Sequence, residues 1–130
     1  MKYSVPIKNS EIEIRKLHNA IHDSFKRKDR SDYERNIWKD ACVQFHSKYS
    51  ALCFLNGFAN IKDRLMSGIH DDMEYAVDFV EIRPYFFRSG YMYQYLLRHL
   101  KNAPLPESLK IRYERVLAEY KAYRLNRLQK

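Results

Sequence analysis

The stretch Glu81–Leu100, EIRPYFFRSGYMYQYLLRHL, constrains the fold more than any other part of the chain. Pro84 cannot donate an amide and pushes the preceding residue out of the α region, so the spacing predicts a helix that ends near it. Ser89-Gly90 is a turn signal. From there Tyr93, Leu96, Leu97 and Leu100 recur at i, i+3, i+4 and i+7, the stripe of a second helix that buries one face. Phe86 and Phe87 then fall in the corner between two helices and are expected in the core. On the flank of the stripe, Tyr91, Tyr95 and Arg98 are candidates for a recognition surface, because tyrosine and arginine are enriched at interface hot spots.

The rest of the chain reads as helix in the same way. Ser10 with Glu13 and Ser31 with Glu34 fit the capping box, in which each side chain satisfies an orphan amide at a helix start. The first predicts a helix from about Ser10 to Lys26 with Ile14, Leu17, Ile21 and Phe25 inward. The second predicts one from about Ser31 to Ser50, whose broader stripe of Ile37, Trp38, Ala41, Phe45 and Tyr49 makes it the expected central helix, with Trp38 as a core anchor. Asn56-Gly57 marks a turn, and the helical periodicity after it argues against a β-hairpin. A short helix over 58–66 closes at Gly68, and Asp71 with Glu74 is expected to cap a fourth that ends near Arg83. The fifth helix runs from Gly90 to about Asn102. Pro106 suits the first turn of a sixth, with Leu109, Tyr113, Val116, Leu117 and Tyr120 inward.

Three glycines and four prolines in 130 residues leave little for tight turns. The expectation is one all-α domain over residues 1–130, with five to six amphipathic helices in a compact bundle or a short solenoid-like stack of antiparallel hairpins. A weak internal echo, Ile61 and Leu65 against Leu96 and Leu100, fits the stack but does not displace the plain bundle as the expectation. Residues 1–9 read as an extension and 121–130 as a basic, fraying helix end. With no apolar run of about 18 residues and no signal-peptide pattern, a soluble cytoplasmic protein without a membrane partner is expected. Cys42 and Cys53 read as buried thiols.

The net charge of +8 is unevenly placed. Residues 1–70 carry +5, residues 71–100 carry −2 and residues 101–130 carry +5. In the acidic segment Asp71, Glu74, Asp78 and Glu81 recur along one helix face and are expected to be a solvated ridge, available to a basic partner or to a second copy in a homodimer. The candidate partner-binding residues are Arg88, Tyr91, Tyr95, Arg98 and Lys101 on one helix and Lys121, Arg124 and Arg127 on another. His18, His22, Cys42 and His46 have the residue types of a zinc site. A hairpin centred near Asp29 would set His22 against Asn36 rather than Cys42, so no metal and no cofactor are expected. No phosphate-cradling loop, nucleophile elbow or zincin signature occurs, so no catalytic residues are assigned. What remains is a small binding protein, such as an adaptor, inhibitor or immunity-type module. Another protein is the favoured partner, and nucleic acid bound through the basic helices is the alternative.

Overall fold

The computed structural model describes residues 1–129. Six helices and no strand occur among them: α1 (Ser4–Phe25), α2 (Asp32–Cys53), α3 (Ile61–Met66), α4 (His70–Ile82), α5 (Ser89–Leu100) and α6 (Glu107–Gln129).

The first helix starts six residues before the Ser10 capping box, so residues 4–9 are helix rather than extension. The start is fixed from a distance: the Tyr3 amide donates to Asp78 Oδ2 at 2.8 Å, and the Ile7 amide donates to the Tyr3 carbonyl. Pro6 lies in the first turn, where its missing amide costs no intrahelical bond. Ile7 and Ile14 are fully buried one heptad apart, while Phe25 at the far end is largely exposed.

α1 and α2 form an antiparallel hairpin. At its tip the Ser31 hydroxyl accepts from the Glu34 amide at 3.1 Å, as its capping pattern predicts, but Glu34 pairs with Arg27 instead of returning to Ser31. Trp38 packs edge-on to Phe25 with Lys28 over its ring, anchoring the hairpin tip and not the core. Only Phe45 and Cys53 of α2 are buried, so α2 is an outer helix.

The central position belongs to α4. Eight of its thirteen residues are buried, two of them aspartates, and it touches α1, α3, α5 and α6. α6 packs on α4 more than on its neighbour α5, so the helices gather round α4. No side chain caps α4, and Asp71 lies inside its first turn.

Two arginines make the buried aspartates tolerable. Arg64 spends all five of its N–H donors: two on Asp72, at 2.9 and 3.1 Å, and one each on the carbonyls of Leu55, Gly57 and Ala59. This one side chain ties the Asn56-Gly57 turn to α4. Arg112 of α6 bonds both Asp78 and Glu81. Charge-assisted bonds of this kind offset the cost of taking a carboxylate out of water.

The α4–α5 corner begins where Arg83 closes α4 in the left-handed conformation and ends where Arg88 opens α5 in the same one, with φ of 52° and 66°. For a residue with a Cβ this conformation costs about 1 kcal/mol. Between them the Phe86 amide donates to the Ser89 hydroxyl and the Tyr85 amide to Glu11 of α1, which fastens the corner to the first helix. Phe86 enters the core as expected. Phe87 stays 40% exposed, lying over His18, Phe45 and Tyr49 as a lid on the α1–α2 hairpin.

No helix among the described residues is long and apolar enough to cross a membrane.

Candidate functional site

The sequence places basic residues at matching intervals on two neighbouring helices. On α5 and its C-cap, Gln94, Leu97, Arg98 and Lys101 are spaced so that they share a face; on α6, Tyr113, Leu117, Tyr120, Lys121 and Arg124 do the same. In the fold these two faces look at each other and enclose a groove of about 370 Å³. Its floor is apolar: Leu97 and Tyr113 are buried and Leu117 is half-buried. Two hydrogen bonds set its width. The Tyr113 hydroxyl donates to the Leu97 carbonyl at 2.8 Å, and the Gln94 amide donates to the Tyr120 hydroxyl at 2.8 Å. Burial pushes the Tyr113 hydroxyl above its ordinary pKa of 10.0, so it stays a donor at neutral pH.

The rim is cationic. Arg98, Lys101, Lys121 and Arg124 surround the floor, and no carboxylate lines the groove. A second cleft of about 390 Å³ continues it toward the end of α6, with Arg83, Arg124 and Arg127 beside Tyr120 and Tyr123. None of these six cations has a carboxylate partner among the described residues.

Five of the eight basic and aromatic residues singled out in the sequence therefore meet: Arg98, Lys101, Lys121, Arg124 and Arg127. The other three do not join them. Arg88 caps α5 with its guanidinium over Phe87, and Tyr91 is exposed on the far flank. Tyr95 is half-buried between Phe58 and His99, with ring centroids 5.6 and 4.3 Å away, so it is packing rather than free surface. Sequence reasoning missed Arg83, Gln94, Tyr113 and Tyr120. The Tyr113–Leu117–Tyr120–Arg124 spacing signals a shared face, but not that α5 is what it faces.

The acidic ridge is not a free surface. Asp78 is fully buried and bonded to Tyr3 and Arg112; Glu81 shares Arg112; Asp71 pairs with Lys2; Glu74 lies near His70. The neighbouring Lys2 ammonium holds the Asp71 carboxyl below the usual carboxylate range. Together with the Asp72–Arg64 pair, four of the five carboxylates of residues 71–100 are paired with a lysine or arginine of the chain.

His70, Asp71 and Glu74 are the one trio of potential metal ligands that converges among the described residues, and there Lys2 already occupies Asp71. The hairpin register differs from a connection centred at Asp29. Phe25 meets Trp38 and His18 meets Phe45, so His22 opposes a position near 41. Even so, His18, His22, Cys42 and His46 do not bring three ligand atoms together. Cys42 and Cys53 are free thiols, Cys53 buried and Cys42 half-buried; burial raises the pKa of the Cys53 thiol.

No protein-family model, curated protein or solved structure matches the chain.

Proposed function

We propose that the protein is a binding module whose α5–α6 groove takes an acidic segment of another protein. The observation that carries this reading is the apolar floor of Leu97, Tyr113 and Leu117 inside a rim of four cations without carboxylate partners. An apolar anchor flanked by carboxylates satisfies both parts at once, by burying surface at the centre and placing charge at the rim. A bare phosphate chain would leave the floor unused. The nucleic-acid reading draws on a different feature, the run of cations that continues through Arg127 and Arg83 beside Tyr120 and Tyr123, since basic grooves with aromatic faces bind single strands.

A direct comparison separates them. Fluorescence anisotropy would measure an acidic peptide with one central leucine or phenylalanine, the same peptide with that residue replaced by serine, and a single-stranded oligonucleotide of similar charge, at about 50 and 200 mM salt. Preference for the apolar-anchored peptide, lost in a Lys121→Gln, Arg124→Gln double variant, supports the proposal. Tighter binding of the oligonucleotide transfers the groove to nucleic acid. Equal affinity for the anchored and serine peptides removes the role assigned to the floor.

A further inference from the structure

We propose that another cavity, between α1 and the α4–α5 corner, binds a small organic phosphate that carries a planar ring, of the mononucleotide class. The cavity measures about 690 Å³, within the range of small-molecule sites. One wall is a single face of α1, on which Arg15, His18, Asn19 and His22 recur at i, i+3, i+4 and i+7. The other is the corner itself, Arg83 to Gly90, backed by Tyr93.

The chemistry of the lining selects the ligand. It holds two guanidiniums and two imidazoles and no carboxylate. Glu11, on the same face of α1, lies outside the lining and accepts from the Tyr85 amide. Arg15 lies over the Tyr85 ring at 5.6 Å and Arg83 over Tyr93 at 4.5 Å, so ring faces hold both guanidiniums while their N–H forks have no carboxylate to bind. Forked donors match a phosphate's oxygens, and two of them suit a dianion better than a single carboxylate. The imidazoles of His18 and His22, 4.7 Å apart, add donors on the α1 side. Tyr85 and Phe87 give flat apolar walls, and the volume exceeds what inorganic phosphate alone would fill, so the ligand brings a ring.

Arg83 stands at φ 52°, a position where glycine is unstrained, so its side chain can be removed without backbone cost.

Isothermal titration with adenosine, guanosine, cytidine and uridine 5′-monophosphates, adenosine and inorganic phosphate tests the assignment. At least one nucleotide is expected to bind about tenfold or more tightly than either adenosine or phosphate alone. Arg83→Gly should lower that affinity about tenfold or more without lowering the melting temperature, because glycine relieves the backbone. Arg15→Gln, on an exposed position of α1, should lower it as well and decides the matter if the glycine variant folds poorly. Lys48→Gln, on an exposed position of α2 outside the cavity, should leave the nucleotide affinity unchanged. The proposal fails if no nucleotide binds at about 1 mM, an affinity too weak to mark a site. It also fails if adenosine or phosphate binds as well as the nucleotide, or if Arg15→Gln retains wild-type affinity.

Discussion

Asp78 shows how a single side chain can decide the shape of this protein. It lies fully buried because two donors from distant parts of the chain reach it, the Tyr3 amide and the Arg112 guanidinium. Removing one partner of such a pair costs about 3 to 5 kcal/mol when both are buried. The Arg112 side chain keeps 24% of its surface exposed, so Arg112→Met should cost about 2 to 3 kcal/mol, read as a lower urea midpoint with unchanged slope. Loss below about 0.5 kcal/mol, the range of ordinary surface changes, would mean that water already serves Asp78. The aromatic corner gives a second comparison. Phe86→Ala removes a buried ring and should cost about 3 to 5 kcal/mol. Tyr95→Ala, which an exposed flank position would make nearly neutral, should instead cost about 1 to 2 kcal/mol, because Phe58 and His99 pack against it. The thiols divide likewise: under native conditions Cys42 should label before Cys53, and simultaneous labelling would place Cys53 nearer the surface.

At the scale of the helix, what was legible in the sequence is what period and proline settle locally. The all-α class, six helices and the ends near Pro84, Gly68 and Pro106 follow from apolar stripes and breakers. The start of α1 does not, because the Ser10–Glu13 pattern is local while the actual anchor, Asp78, lies 75 residues away. Nor does the central helix. A broad stripe on α2 indicates amphipathicity, but which layer a helix occupies depends on which others cover it, and α4 is covered on several sides despite its five acids. The acidic face looked solvated for the same reason: Arg112 and Lys2 are remote in sequence and adjacent in space. The basic groove was half legible, since charge spacing is visible on each helix and the pairing of α5 with α6 is not. The end of α6 can be tested as an element. Residues 121–129 are helical but bury nothing, so removing 121–130 should leave stability within about 0.5 kcal/mol while abolishing binding in the α5–α6 groove. A large drop in melting temperature would show that this end packs on the body.

For the molecule as a whole, the aromatic content that fills the core also sets a limit to stability at high pH. Tyr75 is 4% exposed, its ring 4.5 Å from Phe54, and burial together with nearby Cys53 and Tyr3 pushes its hydroxyl up to about 12 from 10.0. Burial likewise pushes Tyr49 up to about 12 from 10.0, and its hydroxyl donates to the Phe87 carbonyl at 2.7 Å, a bond that requires the proton. The fold therefore holds these protons after the unfolded chain has released them. Below pH 10 both states are protonated and nothing is lost; between 10 and 12 the unfolded state binds fewer protons than the native one, and stability falls as pH rises. For Tyr75 the loss should be on the order of 2 kcal/mol across that interval, at about 1.4 kcal/mol per pKa unit. Thermal melts at pH 9, 10 and 11 should show a falling melting temperature whose slope is reduced in Tyr75→Phe, which removes the titrating hydroxyl and keeps the ring. If wild type and Tyr75→Phe lose stability in parallel, Tyr75 ionises within the fold, and water must reach the space between Phe54 and Tyr3 that this packing closes.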